Sequence, residues 1–475
     1  MNTARPSILR PLLFLAAATV TACTGLPGKP KPAVLATEAP LSDFKSDAAA
    51  WPDEKWWTRY QDPDLDQLID MALASSPTLA TAHARVDSAR ESVRLAGAGS
   101  GAHVDATGDG SRQRLSDNGL FPPDLLGFHW YNQFDLGLQA SYTFDWWGKQ
   151  KDTIQAAMDQ AHAAAADRSA AALVLASSVA DTYFGWQADQ SRLALARERE
   201  ATVQQEGRVT AFRIRADLDA ADEADRADAN LAAVRDQIAM LQGSAALRVV
   251  TLASLVGRSP AELPTLKWRP LPTLSAGLPD NVKIDLISRR ADITASRWRV
   301  EAAEQSRAEA RAEFFPDFSI TALAGIQSRD MSKLFMYSSR VPNIAGAVHL
   351  PIFDAGSLKA RYGASQASLN SAVASYQDTL ITAAREVATQ VTTRSQLAAE
   401  RIQVQAQLDA AQRLKTSAAA RVRQGVVDSR MELTATESWI AQRDALLQLD
   451  AAALSADIGL QRALGGGYER NKTQP

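Results

Sequence analysis

A long-period repeat constrains this 475-residue chain more than any other feature. Pro77-Thr78-Leu79, Ala82, Arg85-Val86 and Ala89 return as Ala291-Asp292-Ile293, Ser296, Arg299-Val300 and Ala303. Phe144-Asp145-Trp146 returns as Phe353-Asp354-Ala355. The copies lie about 210 residues apart, far beyond the period of the common solenoids, so the duplicated unit is the size of a domain. Two similar halves are suited to building a ring around an axis.

The twenty prolines are placed unevenly, with none between Pro123 and Pro260 or between Pro351 and Pro475. Proline inside a helix removes a backbone donor and clashes with the preceding turn, so long helices belong in these gaps. Lys149 to about Val209 and Ser357 to about Arg423 are nearly free of glycine. As helices of some sixty residues each would be roughly 90 Å long. A turn and a second helix come after each, about Leu218 to Leu255 and about Arg430 to Leu464. Ala, Gln, Arg and Glu dominate these runs, as in long antiparallel coiled coils. Upstream, Leu79, Ala82, Val86, Ala89, Val93 and Ala96 step by three and four, the seam of a packed helix.

Between helices the period changes to two. Phe134, Leu136, Leu138, Ala140, Tyr142 and Phe144 alternate with Asp135, Gly137, Gln139, Ser141, Thr143 and Asp145. Such an alternation suits a tilted strand with lipid on one side and water on the other. Val104 to Arg114 is a less regular partner. The second half offers Phe318, Ile320, Ala322, Ala324 and Ile326 against Asp317, Ser319, Thr321, Gly325 and Gln327, with Leu323 as an exception, and a return strand from about Ile344 to Phe353. Hairpins of a soluble sandwich have the same pattern. Four strands cannot close a barrel, since small barrels need about eight. If these strands span a membrane, several chains share one barrel.

Arg5 and Arg10 precede an apolar run of about ten residues, Pro11 to Val20, too short to span a bilayer. It leads into Val20-Thr21-Ala22-Cys23, which carries the single cysteine. That order is a lipoprotein processing site, although a plain secretory signal beside a stray cysteine has similar features. With Cys23 carrying diacylglycerol and an N-acyl chain, the anchor is stable, and Thr24 favours the outer membrane. No stretch after residue 23 reaches the eighteen or so apolar residues of a spanning helix. The net charge of −3 argues against a nucleic-acid partner. His83, His103, His129, His162 and His349 never fall at metal-ligand spacing, and Gly465-Gly466-Gly467 comes after a helix rather than opening one. No catalytic, cofactor or metal site is proposed from sequence, and no enzymatic activity is expected.

Several motifs together resemble the outer membrane factor family, the TolC-like channels, and within it the NodT/OprM-type lipoprotein branch. These are the Cys23 site, Trp56-Trp57 with Asp62-Pro63-Asp64-Leu65, Tyr142 to Lys149, its echo Pro351 to Gly356, and Ser288-Arg289-Arg290-Ala291-Asp292-Ile293 with Ala310 to Pro316 downstream. The chain departs from the family at Ala291, where proline is usual, and at Asp217, where glycine is usual at the first hairpin tip. Asp292 remains available to cap a helix. The resemblance implies an α+β membrane channel. Its duplicated coiled-coil helices form a periplasmic α-barrel, and four transmembrane strands per chain close a twelve-stranded β-barrel as a homotrimer. It further implies passive export, with energy from an inner-membrane pump of resistance-nodulation-division or major facilitator type, joined through a periplasmic adaptor protein.

The expected organisation is a signal peptide at 1–22 and a lipidated tether at 23–50. A first repeat at 51–260 has its β-hairpin about 104–145 and its helical tip near 213–220. A linker at 261–283 leads to a second repeat at 284–464, with a β-hairpin about 317–353 and a tip near 423–430. The tail is 465–475. Arg213, Arg215, Asp217, Asp219, Asp222, Glu223 and Asp225 crowd the first tip, and Arg421, Arg423, Gly425, Asp428, Arg430 and Glu432 the second. Mixed charge there suits a constriction and adaptor surface, and equally suits solvated helix ends. Trp146 and Trp147 are placed as interfacial aromatics or as junction packing. Three functions stand at this point: the exit channel of a tripartite drug-efflux system, the exit duct of a type I protein secretion system, and a periplasmic coiled-coil scaffold lipoprotein.

Overall fold

The structure, a computed structural model, describes residues 28, 31–41, 49–118, 122–272, 278–280 and 282–469. The signal segment, Cys23 and the last residues of the tail lie outside them, as does half of the tether. In chain order the long elements are α1 (Pro63–Ser75), α2 (Pro77–Ala98), β1 (His103–Arg114), β2 (Trp130–Phe144), α3 (Lys149–Arg215) and α4 (Asp222–Val256). The same series then repeats as α5 (Val282–Arg289), α6 (Ala291–Ala312), β3 (Asp317–Ser328), β4 (Arg340–His349), α7 (Ser357–Arg423) and α8 (Ser429–Ala463). The duplication is visible in the lengths. α2 and α6 have 22 residues each, α3 and α7 have 67, and α4 and α8 have 35.

The chain divides into two compact units, and neither is one copy of the repeat. The first comprises residues up to Val34, Asp87–His162 and Arg297–Ser375; the second comprises Leu35–Val86, Ala163–Ser296 and the rest from Tyr376. Each draws on both halves, and α2, α3, α6 and α7 contribute to both.

In the first unit the four strands form one antiparallel sheet in the order β1-β2-β3-β4. The register pairs Ala106 with Leu138, Leu138 with Ala324 and Ala324 with Pro342. One face therefore carries Val104, Phe134, Leu136, Leu138, Tyr142, Phe144, Phe318, Ile320, Ile326, Ile344 and Val348, because residues of one parity share a face. Asp105, Asp109, Asp135, Gln139, Thr143, Asp317, Thr321 and Gln327 occupy the other. The irregularity of β1 has a steric cause. A Cβ at Gly108 would come within 2.9 Å of Leu136 Cδ2, so small residues on β1 receive the bulk of β2.

Two sequence expectations need correction. The return strand is Arg340–His349 rather than 344–353, so the second hairpin spans 317–349. It starts earlier because Arg340 pairs with Ile326 and Pro342 sits on an edge strand, where a missing donor is tolerated. It ends earlier because Pro351 cannot extend the ladder, and Phe353 is 90% exposed beyond it. The second correction concerns hydropathy. α3 and α4 each hold an eighteen-residue window apolar enough to cross a membrane by length and composition. Less than half of each window is buried within the single chain.

The second unit contains the main core, in which Leu65, Leu68, Ile69, Leu79, Val179, Tyr183, Phe184, Leu252, Val256 and Leu454 pack with Trp56, Trp57 and Tyr60. Leu65, Leu68 and Ile69 are fully buried, worth about 1.5–3 kcal/mol each. Trp56 meets Trp57 and Tyr60 edge-on, at 5.9 and 6.2 Å. Asp62 caps α1, accepting from the Asp64 and Leu65 amides, and also accepts the Tyr183 hydroxyl at 2.8 Å. Such a cap stabilises by about 1 kcal/mol. The conspicuous Trp-Trp and Asp-Pro-Asp-Leu motif is thus core and cap.

Candidate functional site: the hairpin tips

Both long helical hairpins turn by the same device. α3 ends with Leu218 N–H donating to Arg213 O at 2.9 Å and Asp217 N–H to Ile214 O at 3.0 Å; α7 ends with Val426 N–H donating to Arg421 O and Gly425 N–H to Val422 O. This pair of bonds needs a left-handed residue after the helix. Gly425 supplies it with φ 71°, and Asp217 takes the equivalent conformation with φ 56°.

The two tips differ in how the returning helix begins. α8 opens on Asp428, whose carboxylate caps it by accepting the Arg430 amide at 3.1 Å. α4 has no side-chain cap, and its first turn offers Asp222, Glu223 and Asp225 to the helix dipole. The acid of the first tip, Asp219, is therefore free to bind cations. Arg213 grips it with two donors, at 2.8 and 3.0 Å. A third Arg213 nitrogen donates to Asp428 at 3.0 Å. Arg430 donates to Asp219 and to Asp428, both at 3.2 Å. The result is a closed quartet: two arginines, two aspartates, each of one sign bonded to both of the other, and each tip contributing one of each.

These bonds set the electrostatics of the quartet. The Arg213 guanidinium holds the Asp219 carboxyl below the usual carboxylate range, with further lowering from Arg430. The Arg430 backbone N–H does most to lower Asp428, helped by the Ser429 and Arg430 side chains.

Of the charges crowded into this stretch, the quartet takes only Arg213, Asp219, Asp428 and Arg430. Asp222 pairs with Arg226 at 3.2 Å. Arg423 donates to Ala419 O of its own helix. Arg215, Asp217 and Arg421 are exposed, and no ion pair joins them among the described residues.

Sequence reasoning missed the rungs leading to this tip. Arg192 pairs with Asp444, Arg199 with Glu437 and Arg443 with Glu198, joining α3 to α8. Beside them, burial and the nearby Glu437 carboxylate push Glu206 above the usual range. No local signal marks these pairs, since Arg192 and Asp444 lie 252 positions apart.

The strand-to-helix junction is built in the first unit. Trp147 stacks on Phe315 at 4.6 Å and donates its indole N–H to Pro316 O at 2.9 Å. Trp146 lies 4.1 Å from Phe318 and is 62% exposed. Asp145 accepts the Lys151 amide and Asp354 the Gly356 and Leu358 amides, starting α3 and α7. Arg290 and Asp292 meet in the second unit, where Asp292 sits inside the first turn of α6 and accepts the Ile293 amide.

Comparison with known proteins gives a consistent result. The family model described as outer membrane efflux protein matches residues 68–258 and 284–466. The multidrug resistance outer membrane protein MdtP of Escherichia coli K12 is 32% identical over 435 residues, covering 90% of this chain and 89% of MdtP. The crystal structure of the outer membrane protein VceC from Vibrio cholerae superposes with TM-score 0.80 at 31% identity, over 88% of this chain and all of VceC. The Campylobacter jejuni CmeC outer membrane channel shares the fold, with TM-score 0.84 over 94% of this chain and 95% of CmeC, at 22% identity.

Proposed function

This chain belongs to the outer membrane efflux protein family and is an outer-membrane efflux channel, and we propose that three copies form one tube that passively conducts drugs or other small toxic compounds. The carrying observation is the open four-stranded sheet with one apolar face. In lipid every backbone group must find a partner, so both edge strands need neighbours. Three chains give twelve strands, enough for a water-filled barrel with the apolar face to lipid and the carboxylate-bearing face to the lumen.

A polar lumen lowers the barrier for an amphipathic solute and does no chemistry, so energy comes from elsewhere. The reading includes a periplasmic adaptor and an inner-membrane pump, of resistance-nodulation-division or major facilitator type, docking at the helical tips. Acyl chains on Cys23 anchor the chain, and Trp146 and Trp147 sit at the inner edge of the bilayer. The tip quartet holds the closed state. It is reversible because partly exposed ion pairs are individually weak. The name of MdtP supports drugs as cargo.

A deletion strain tests this reading by susceptibility to antibiotics and dyes, complemented with intact protein or with Cys23→Ser. Hypersensitivity rescued by the intact form supports efflux, and weak rescue by the serine form assigns the lipid a supporting role. A strain that resists every compound normally but fails to secrete a protein would move the function to type I export.

A further inference from the structure

The sheet end farthest along the strands from the helices carries three arginines of one kind. Arg112 lies 5.5 Å above the Trp130 ring, Arg329 5.1 Å above Phe128 and Arg340 4.4 Å above Tyr337. The Arg329–Phe128 pair ties the loop of the second hairpin to that of the first. None of the three makes an ion pair or side-chain hydrogen bond among the described residues, whereas Arg114 beside them is paired with Asp117 at 3.1 Å. A guanidinium held over a ring face by cation–π attraction keeps its N–H donors for another partner, and a guanidinium can bind a phosphate bidentately.

The apolar surroundings say what kind of phosphate. Arg112 and Arg340 project from the same sheet face as Leu136, Leu138 and Ile326. A groove of about 560 Å³ runs over that face, floored by Gly137 and Gly325, walled by Leu136, Leu138 and Pro342, and bounded by Arg340. Above it the second loop buries Leu334 and exposes Met331, Phe335, Met336 and Tyr337. A soluble anion has no use for this apolar floor, and a neutral lipid has none for the guanidinium edges.

We propose that this arginine–aromatic belt binds phosphorylated glycolipid of the outer leaflet, its phosphate groups distributed along the belt over Arg112, Arg329 and Arg340 and an acyl chain in the groove that Arg340 borders. Anionic headgroups are drawn to basic pockets at a membrane surface, and the belt combines such a pocket with a slot for hydrocarbon.

Native mass spectrometry of the full chain in detergent tests the proposal with diphosphoryl lipid A, phosphatidylethanolamine or inorganic phosphate as probes. The spectrum counts bound lipid whether or not the channel conducts, so its result is separable from that of the efflux assay. Wild type should retain lipid A, and R112Q/R329Q/R340Q should lose at least about tenfold in occupancy. The charge-matched R90Q/R94Q/K359Q should retain it. The same spectrum reports assembly. If the glutamine variant fails to assemble, R112K/R329K/R340K takes its place, and lower occupancy is again expected because lysine cannot stack or fork. Wild-type occupancy in the belt variant, equal loss in the control, or equal retention of phosphatidylethanolamine overturns the proposal. Displacement of lipid A by equimolar phosphate overturns the lipid as occupant.

Discussion

Two groups of paired charges in the second compact unit use the same chemistry under opposite conditions. At the tips, Arg213, Asp219, Asp428 and Arg430 are partly exposed, with Asp428 and Arg430 each open to about a third of their area. Nearer the core, Arg290 is 8% exposed and donates to Asp292, Glu386 and the last carbonyl of α8, Ala463 O. Similarly, buried Asp457 accepts the Tyr60 hydroxyl at 2.8 Å and faces Arg394 at 3.8 Å. Exposed pairs exchange readily with water and are screened by salt. Buried ones cannot lose a member without stranding a charge. If the tips open and close as proposed, the contrast is that between a latch and a rivet.

The sharpest way to break that contrast is Arg290→Ala. It removes a buried guanidinium that bonds two partly exposed carboxylates and a helix-end carbonyl, so unfolding stability should fall by about 3 kcal/mol in denaturant titration. Assembled survivors should conduct normally. Tyr60→Phe should cost about 1–3 kcal/mol by removing the donor to buried Asp457, again without a conductance change. At the tip the pattern should invert. Asp219→Asn removes a carboxylate shared by two arginines, and single-channel conductance in planar bilayers should rise severalfold while the melting temperature stays put. If Asp219→Asn, Asp428→Asn and Arg430→Gln all leave conductance unchanged, the quartet is not a latch.

Acid gives the next, smaller effect. Asp219 and Asp428 are held below their ordinary range, so their ion pairs are fully formed above the unfolded value of about 4 and are lost as pH falls through the lowered folded values. Conductance should therefore be flat at neutral pH and rise only below about pH 4. The smallest effect tests the backbone. Asp217→Gly relieves a left-handed aspartate, and a gain of up to about 1 kcal/mol is expected in the melting transition, with Gly425→Ala losing a similar amount.

These regions were unequally legible in the sequence. Alternation from Phe134 to Phe144 marked β2 with its faces, because period two repeats within one element. The proline-free gaps marked α3 and α7, although α3 runs on to Arg215 because nothing between Val209 and Arg215 breaks a helix. The tip charges stood out as a crowd, but their pairing did not, since Arg213 and Asp428 meet across 215 positions. Arg290 read as part of a motif and gave no sign of binding Glu386, a partner fixed only by the fold. β4 was misplaced because Ile352-Phe353 continues an apolar pattern past Pro351, where the ladder has already stopped.

The unpaired backbones of β1 and β4 also set a clock. A lone chain cannot enter lipid with two bare strand edges, and outside lipid those edges invite the wrong partner. Insertion must then wait for an encounter among chains, and such a step slows steeply as copies become scarce. Cells making little of this protein would hold most of it in transit, so resistance would depend on dosage with a threshold rather than in proportion.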